Sequence, residues 1–214
     1  MANNVTLAQG NEVVRLANDK GLTVEKFQAD LLDSGIVADV IEASKQGTLP
    51  ERNALRKVLG LAPIYPDPTI TKLGCHVIDY DEDIADLLKR GKYDWKNGNV
   101  NAKNFPPRLK GRVKSDLVLV HFGRDMSDEQ VLTELAKLDL EPADAYEDLT
   151  VGAEKPELQR EFPIPAIGQH WQDRHGSRCV VFVCRHADER CASLDYLGGE
   201  WDGDCRFLAR RKQK

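Results

Sequence analysis

Apolar residues in the N-terminal part of the chain recur at the three- and four-residue spacing of amphipathic helices. Each of four such segments ends close to a glycine, the residue that most easily takes the left-handed backbone of a helix end. Helices this short are marginal alone, so we expect their apolar stripes to pack on one another, or on the rest of the chain, as a small helical bundle. The predicted helices span Asn11–Lys20, Val24–Leu32, Val37–Lys45 and Glu51–Leu59.

A proline-rich segment interrupts this pattern. Pro63, Pro66 and Pro68 fall within six residues, and proline blocks helix and favours an extended backbone. We therefore predict three regions, which are a helical subdomain at residues 1–62, an extended connector at 63–72 and a second domain at 73–214.

Short apolar runs separated by turn residues follow the connector, and they are typical of strands. Helices are predicted among them from Ile84, from the capping box at Ser127 and from Ala143. The last four strands follow one another with only turns between them, which predicts an antiparallel meander. Strands and helices do not alternate strictly, so the predicted class is α+β. The predicted strands are Cys75–Tyr80, Leu117–Phe122, Ala166–Trp171, Arg178–Arg185, Ala192–Leu197 and Cys205–Ala209.

The charges of the second domain are divided between two neighbouring blocks. Residues 89–114 hold nine basic side chains and one acid, a net charge of +8, whereas residues 125–161 hold twelve acids and three basic side chains, a net charge of −9. A balanced surface mixes the two signs. Blocks this uneven either face each other in the fold or bind charged partners.

The basic block also carries aromatic rings and asparagines, a combination that binders of single-stranded nucleic acid use. Cations contact phosphates, rings stack on bases and amides reach base edges. We therefore predict that this loop binds an anionic partner, either single-stranded nucleic acid or an acidic protein surface. The predicted contacts are Lys92, Tyr93, Trp95, Lys96, Lys103, Phe105, Arg108 and Lys110, with Asn97, Asn99, Asn101 and Asn104 beside them.

Other roles for the two blocks stay open. Trp95 and Phe105 can anchor a long loop to the core, and Asn97-Gly98 is a turn signal that fits such an anchor. The basic block can instead pair with the acidic helices of residues 125–161, although single surface pairs contribute only about 0–1 kcal/mol each. Those acidic helices can also form the contact surface of a protein–protein adaptor.

An enzyme is the alternative from another class. A thiol nucleophile needs a histidine beside it, and no local signature marks such a pair in this chain. The acids of Asp79–Asp83 offer a carboxylate site, although a helix cap explains them without function. The candidate thiols and histidines are Cys75, Cys184, His121, His170 and His186.

No metal or cofactor is expected. The chain lacks a P-loop, a glycine-rich dinucleotide loop and a nucleophile elbow. A structural zinc site needs pairs of ligands close together on a tight turn. The possible ligands do not have that spacing, and small buried thiols explain them better; they are Cys179, Cys184, His186, Cys191 and Cys205.

The composition restricts the compartment and the partners. A net charge of −5 argues against a protein that coats nucleic acid with its whole surface. The longest apolar runs, Leu117–Val120 and Val180–Cys184, are far too short to cross a bilayer, and the N-terminus carries no export signal. Five cysteines, an odd number, suit a reducing compartment. We therefore expect a cytoplasmic protein without a membrane partner.

Four strings of the second domain are distinctive, and they are Lys92–Asn97, Lys103–Pro106, Pro156–Pro163 and Gly199–Leu208. With these strings, residues 75–211 resemble a group of uncharacterised bacterial proteins. The resemblance implies a bacterial cytosolic origin and no particular activity.

Overall fold

The computed structural model describes residues 6–212, and the chain divides into two units at Pro63–Ile64. The first unit is helical, and the described strands all lie in the second. The fold class is therefore α+β, as the hydrophobic pattern predicts. Residues 1–5, where no export signal is expected, lie outside the described range.

Four helices form the first unit, and side-chain oxygens cap the N-termini of the first, second and fourth. The helices are α1 Leu7–Asp19, α2 Val24–Lys26, α3 Ile36–Lys45 and α4 Arg52–Val58, and α2 continues as a π-helical segment over Phe27–Asp33. At α1, Thr6 and Gln9 form a reciprocal capping box, and at α2 the Thr23 hydroxyl accepts a 3.3 Å hydrogen bond from the Lys26 amide. These caps satisfy backbone groups that a helix end leaves open.

The helices of the first unit do not enclose a core of their own. Within residues 6–63 no side chain is buried, and apolar residues such as Val13, Ile41 and Val58 stay exposed. Each helix brings only a few apolar residues, which is too little surface to surround a side chain on all sides. The predicted helices are therefore present, and α3 packs on the π-helical segment, but this packing buries no side chain fully.

The described part of the second unit contains two larger sheets and a two-stranded ribbon. The first consists of β1 Thr69–Asp79, β3 Arg112–His121, β5 Leu140–Pro142 and β11 Phe207–Arg211, in the order β1-β3-β11-β5, with every neighbour antiparallel. The register of β1 against β3 shifts between Lys72 and Gly74. Gly74 has a φ of +92° there, a left-handed backbone that glycine takes without strain.

A long hairpin organises the second sheet. Its strands are β8 Arg178–His186 and β9 Glu189–Tyr196, with β2 Trp95–Lys96 parallel to β9, and with β6 Ile164–Pro165 and β7 Trp171–Gln172 antiparallel to β8. A separate two-stranded ribbon pairs β4 Met126–Ser127 with β10 Glu200–Trp201.

Helix α7 lies at the centre of this unit. The helices are α5 Ile84–Arg90, α6 Asp128–Lys137, α7 Ala145–Glu154 and α8 Leu158–Glu161. Residues Ala145–Gly152 of α7 are all buried because the helix packs against β1, β8 and α5. A helix covered on every side is normally apolar, yet α7 carries two buried acids, Glu147 and Asp148.

Among residues 6–212, no helix has both the length and the apolar character needed to span a membrane.

The last strand departs from the predicted meander. It lies between β3 and β5 in the first sheet rather than beside β9. Phe207, Leu208 and Ala209 are all buried, so this strand needs apolar neighbours on both faces, and a central position provides them. The predicted strand Ala166–Trp171 is replaced by β6 and β7, with a turn between them.

Candidate nucleic-acid interface

Two of the three rings in the basic loop are buried, which corrects the prediction that they stack on a partner. Phe105 is fully covered and Tyr93 is 4% exposed, both in the main core. The Tyr93 ring lies against Gly91 and Gly152, where an added Cβ would collide with it. Burying an aromatic ring stabilises the fold strongly. Tyr93 and Phe105 therefore anchor the loop and are closed to a partner.

Arg190 of β9 fixes this anchor to α7. Its guanidinium lies over the Tyr93 ring, 5.0 Å from the centroid. It donates hydrogen bonds to the carbonyls of Gly91 at 2.8 Å and Gly152 at 2.6 Å, and to Gln159 Oε1 at 2.9 Å. Burial, followed by the charge of Asp148, raises the pKa of Tyr93 far above its ordinary value. These carbonyl bonds compensate a buried cation that would otherwise be costly.

The asparagines of the loop mostly shape its backbone. Asn101 Oδ1 accepts from the amides of Lys103 and Asn104, each at 3.1 Å. Asn104 Nδ2 donates to the Asn99 carbonyl at 2.9 Å, and Asn97 Oδ1 accepts from the Asn99 amide at 3.0 Å. Such local bonds are typical of turns. The anchoring role that the sequence left open therefore applies to Phe105 and to these amides.

The remaining predicted contacts lie at the surface. Trp95 is 46% exposed, so one ring of the loop stays accessible to a partner. Arg108 also donates a 2.6 Å hydrogen bond to the Gly168 carbonyl, which holds the loop against the segment before β7. The exposed cations among the predicted contacts are Lys92, Lys96, Lys103, Arg108 and Lys110.

Residues of each charge block form ion pairs with residues that belong to neither block. Arg90 pairs with Glu82 at 2.9 Å and Arg112 with Asp79 at 3.7 Å. In the acidic block, Glu147 pairs with Arg210 at 2.8 Å. Four of the block's twelve acids are buried inside the unit, which reduces the acidic surface that an adaptor would use; they are Asp128, Asp144, Glu147 and Asp148.

A cleft of about 550 Å³ opens where the basic loop meets the β7–β8 hairpin. Trp171 on β7 and Tyr196 on β9 are both register partners of Cys179 on β8, so these three side chains form a row on one face of the sheet. Tyr196 is 59% exposed. Asn97 and Asn99 contribute from the basic loop, and Arg174 and His175 from the hairpin tip.

Asp173 holds the tip of this hairpin in shape. Its Oδ1 accepts hydrogen bonds from the amides of His175 at 2.8 Å and Ser177 at 2.9 Å. The Ser177 amide is the main cause that lowers the pKa of Asp173. Arg174 Nε donates to His175 Nε2 at 3.0 Å. The tip therefore presents a cation and an imidazole together at the edge of the cleft.

The sequence did not single out Trp171, Arg174, His175 and Tyr196 as binding residues. The cleft combines rings, amides and a cation, and so supplies the mixture that the basic loop alone was predicted to contain. A signal was present, because Asp173-Arg174-His175-Gly176 is a turn sequence that lies between Trp171-Gln172 and the predicted strand from Arg178. The proximity of Asn97 and Asn99 to this hairpin could not be predicted from the local sequence.

Two buried carboxylates, Asp144 and Glu147, lie close together, and Glu147 lines a smaller cavity of about 290 Å³. The Tyr80 hydroxyl donates to Asp144 Oδ2 at 2.9 Å, and the Ser115 hydroxyl donates to Glu147 Oε1 at 2.6 Å. Burial and then the charge of Asp144 raise the pKa of Glu147, while Arg210 opposes the rise. Each carboxylate oxygen of Asp144 and Glu147 accepts a bond from the protein, which favours a structural network over a carboxylate active site.

The cysteines and histidines do not assemble a metal centre. Within residues 6–212, no three side chains among His, Cys, Asp and Glu converge to hold an ion. His121 Nε2 lies 2.8 Å from the Gly203 carbonyl, and His76 Nδ1 lies 2.6 Å from Glu154 Oε2. Those contacts give both rings partners other than a thiol.

Comparison with known proteins gives no assignment, since no protein-family model matches the chain and no curated protein or solved structure gives a significant match. The function is therefore argued from the basic loop and the cleft beside it.

Proposed function

We propose that the second unit binds single-stranded nucleic acid across the basic loop 89–114 and the cleft beside it. The observation that supports this proposal is the meeting of Asn97 and Asn99 with the rings of Trp171 and Tyr196 and with Arg174. The cations, amides and accessible rings of this surface are therefore positioned to contact the same ligand.

The chemistry of the surface suits the backbone of a nucleic acid strand. Exposed lysines of the loop attract phosphates, and Arg174 adds a guanidinium at the far edge of the cleft. Release of counterions from the strand drives this kind of binding. The chain as a whole is acidic, so attraction is confined to this face.

The row of side chains in the cleft suits a base. Trp171 and Tyr196 lie on either side of Cys179, two strand spacings or about 9–10 Å apart at the backbone. Each base stacked on an aromatic side chain contributes about 1–3 kcal/mol. Bases of a duplex are paired and stacked inside the helix, so such a cleft favours single strands.

The bacterial cytosol is the location we propose for this binding. The resemblance of residues 75–211 to bacterial proteins supports the origin. All five cysteines are free thiols, which supports a reducing compartment.

Fluorescence anisotropy of a labelled single-stranded oligonucleotide of about 20 nucleotides tests the proposal. We expect binding at low salt and a linear fall of log K with log salt, with a slope of about −0.7 per phosphate contact. Lys103→Gln should weaken binding and make that slope shallower by about one contact. Lys57→Gln makes the same charge change in the first unit and should alter neither quantity. An unchanged anisotropy at low salt would remove the proposal.

A competition experiment separates nucleic acid from an acidic protein surface. Unlabelled oligonucleotide and polyglutamate are compared at the same total concentration of negative charge. The oligonucleotide should displace the labelled strand and polyglutamate should not, because polyglutamate offers no bases to the cleft. Equal displacement by the two polymers would assign the surface to acidic proteins instead.

A further inference from the structure

Cys184 and Cys191 face each other across the β8–β9 hairpin. They are direct register partners, and the hairpin closes at the pair His186 and Glu189. Side chains directly opposite in an antiparallel pair have Cβ atoms about 4.5–5.5 Å apart. A disulfide needs a Cβ separation of about 3.5–4.5 Å, so a small movement of the hairpin brings the two sulfurs to bonding distance.

The other cysteines have different register partners. Cys179 is opposite Trp171 and Tyr196, and Cys75 is opposite Asp116. Cys205 packs in the core cluster that contains Trp201. Only one of the thiol pairs formed by these five cysteines is therefore aligned by a described strand pairing.

Small reagents can reach the aligned pair. Both thiols line a cleft of about 480 Å³, together with Trp95, Phe182 and His186. Cys191 itself is mostly covered, but its neighbour Cys184 is only partly buried. The cleft is large enough for a low-molecular-weight disulfide to approach.

We propose that Cys184 and Cys191 form a reversible intramolecular disulfide by exchange with a small disulfide of the glutathione type. The thiolate of one cysteine attacks the small disulfide and releases one small thiol. The thiolate of the other then attacks the mixed disulfide and releases the second small thiol. The protein thiols lose two electrons and two protons, and one small disulfide is reduced to two small thiols. A dithiol reductant reverses the reaction.

The disulfide lies beside the exposed ring of the basic loop, because β2 pairs with β9 at Trp95 and Cys191. It does not depend on the proposed binding of nucleic acid. A measurement on the thiols alone decides it.

Thiol counting on the Cys75→Ser variant tests the proposal, since removal of this exposed cysteine leaves only buried or partly buried thiols and so disfavours disulfides between molecules. Four thiols remain in that variant, from the five of the native chain. The incubation with oxidised glutathione is carried out at alkaline pH, because burial raises the pKa of the Cys184 thiol. After denaturation we expect two titratable thiols and a mass lower by two hydrogen atoms. Tryptic cleavage at Arg185 and Arg190 separates the two halves, so fragment spectra should show Cys184 linked to Cys191.

Two further substitutions in the Cys75→Ser background act as matched controls. Cys184→Ser should keep all its three remaining thiols after oxidation, whereas Cys179→Ser should fall from three to one. Four retained thiols in the folded Cys75→Ser protein, a stable glutathione adduct in place of the cross-link, or a link through Cys179 or Cys205 would each overturn the proposal.

Discussion

The indole of Trp201 donates a 2.7 Å hydrogen bond to Asp128 Oδ1, and this bond joins β10 to the first turn of α6. The other oxygen of Asp128 accepts from the Gly198 amide at 2.6 Å. Trp201 is 5% exposed and packs edge-on against Phe207, with ring centroids 5.9 Å apart. The turn residues Gly198-Gly199 and Asp202-Gly203 predict a ring that folds back over the sheet. The contacts give Trp201 a structural role.

Replacement of Trp201 should therefore destabilise the fold. Trp201→Ala removes a packed ring and leaves Asp128 Oδ1 without its donor, and we expect a loss of about 3–5 kcal/mol in the free energy of unfolding. Trp95→Ala removes a half-exposed ring and should cost far less. Urea denaturation followed by circular dichroism measures both. Equal losses for the two variants would contradict this assignment.

The exposed ring of the cleft should contribute to binding rather than to stability. Tyr196→Ser removes the ring and should weaken oligonucleotide binding by about 5- to 150-fold, the equivalent of one stacked base. Tyr196→Phe keeps the ring and should bind almost as well as the native chain. Anisotropy titrations at one salt concentration compare the three proteins. Unchanged affinity in Tyr196→Ser would exclude stacking at this position.

Asp148 should make the fold less stable as the pH rises. Burial raises its pKa well above the ordinary value, although the Val183 amide opposes the rise, and neither carboxylate oxygen has a partner with ordinary hydrogen-bond geometry. The folded state therefore holds a proton that the unfolded state releases above its own pKa of about 3.9. Below the unfolded pKa, the protonated Asp148 makes its full contribution to the free energy of unfolding. Above the unfolded pKa, this contribution declines by up to about 1.4 kcal/mol per pH unit until the pH reaches the folded pKa.

Asp148→Asn keeps the shape of the side chain and removes its titration. Relative to the native protein, this variant should become progressively more stable as the pH rises above the unfolded pKa of about 3.9, until the pH reaches the folded pKa of Asp148. The exposed Asp202→Asn serves as the control and should follow the native pH dependence. Parallel pH profiles for the native protein and Asp148→Asn, measured by urea denaturation, would show that Asp148 is ionised in the folded state.

The ion pair between the partly buried Arg210 and the buried Glu147 should be coupled. Arg210→Met leaves Glu147 buried without its cation, and we expect a loss of about 3–5 kcal/mol at neutral pH. The double variant with Glu147→Gln should recover much of that loss because the uncompensated charge of Glu147 is removed as well. A double-mutant cycle by urea denaturation measures the coupling. Simple additivity of the two single losses would argue against a charge interaction.

Thiol alkylation should distinguish the cysteines by environment. Burial is the main cause that raises the pKa of Cys184, and likewise that of Cys205, to about 12. Only the thiolate reacts, so both should be alkylated slowly at neutral pH and about tenfold faster for each added pH unit. The exposed Cys75 provides the internal reference. Iodoacetamide labelling followed by peptide mass spectrometry gives each rate, and fast labelling of Cys184 at neutral pH would contradict the expected protonation.

The sequence by itself determined the elements whose signals are local. The Ser127 and Gln130 capping box begins α6 as predicted, and Asp83 caps α5 by accepting from the Ala85 amide at 2.7 Å. The hairpin of β8 and β9 also follows its apolar runs and turn. These features depend on residues within one turn of helix or on strands joined by a tight turn, where propensity and hydrogen bonding act without help from distant segments.

Only the tertiary structure decided which side chains of the basic loop face inward and where the last strand pairs. Tyr93 is buried because Gly91, Gly152 and Arg190 leave a slot for its ring, and two of those three lie far away in sequence. Trp171 and Tyr196 meet the basic loop for the same kind of reason, through pairing of β2 with β9. Burial depends on which distant segments pack against a position. The local sequence therefore does not distinguish the buried aromatic residues of the loop from the exposed one.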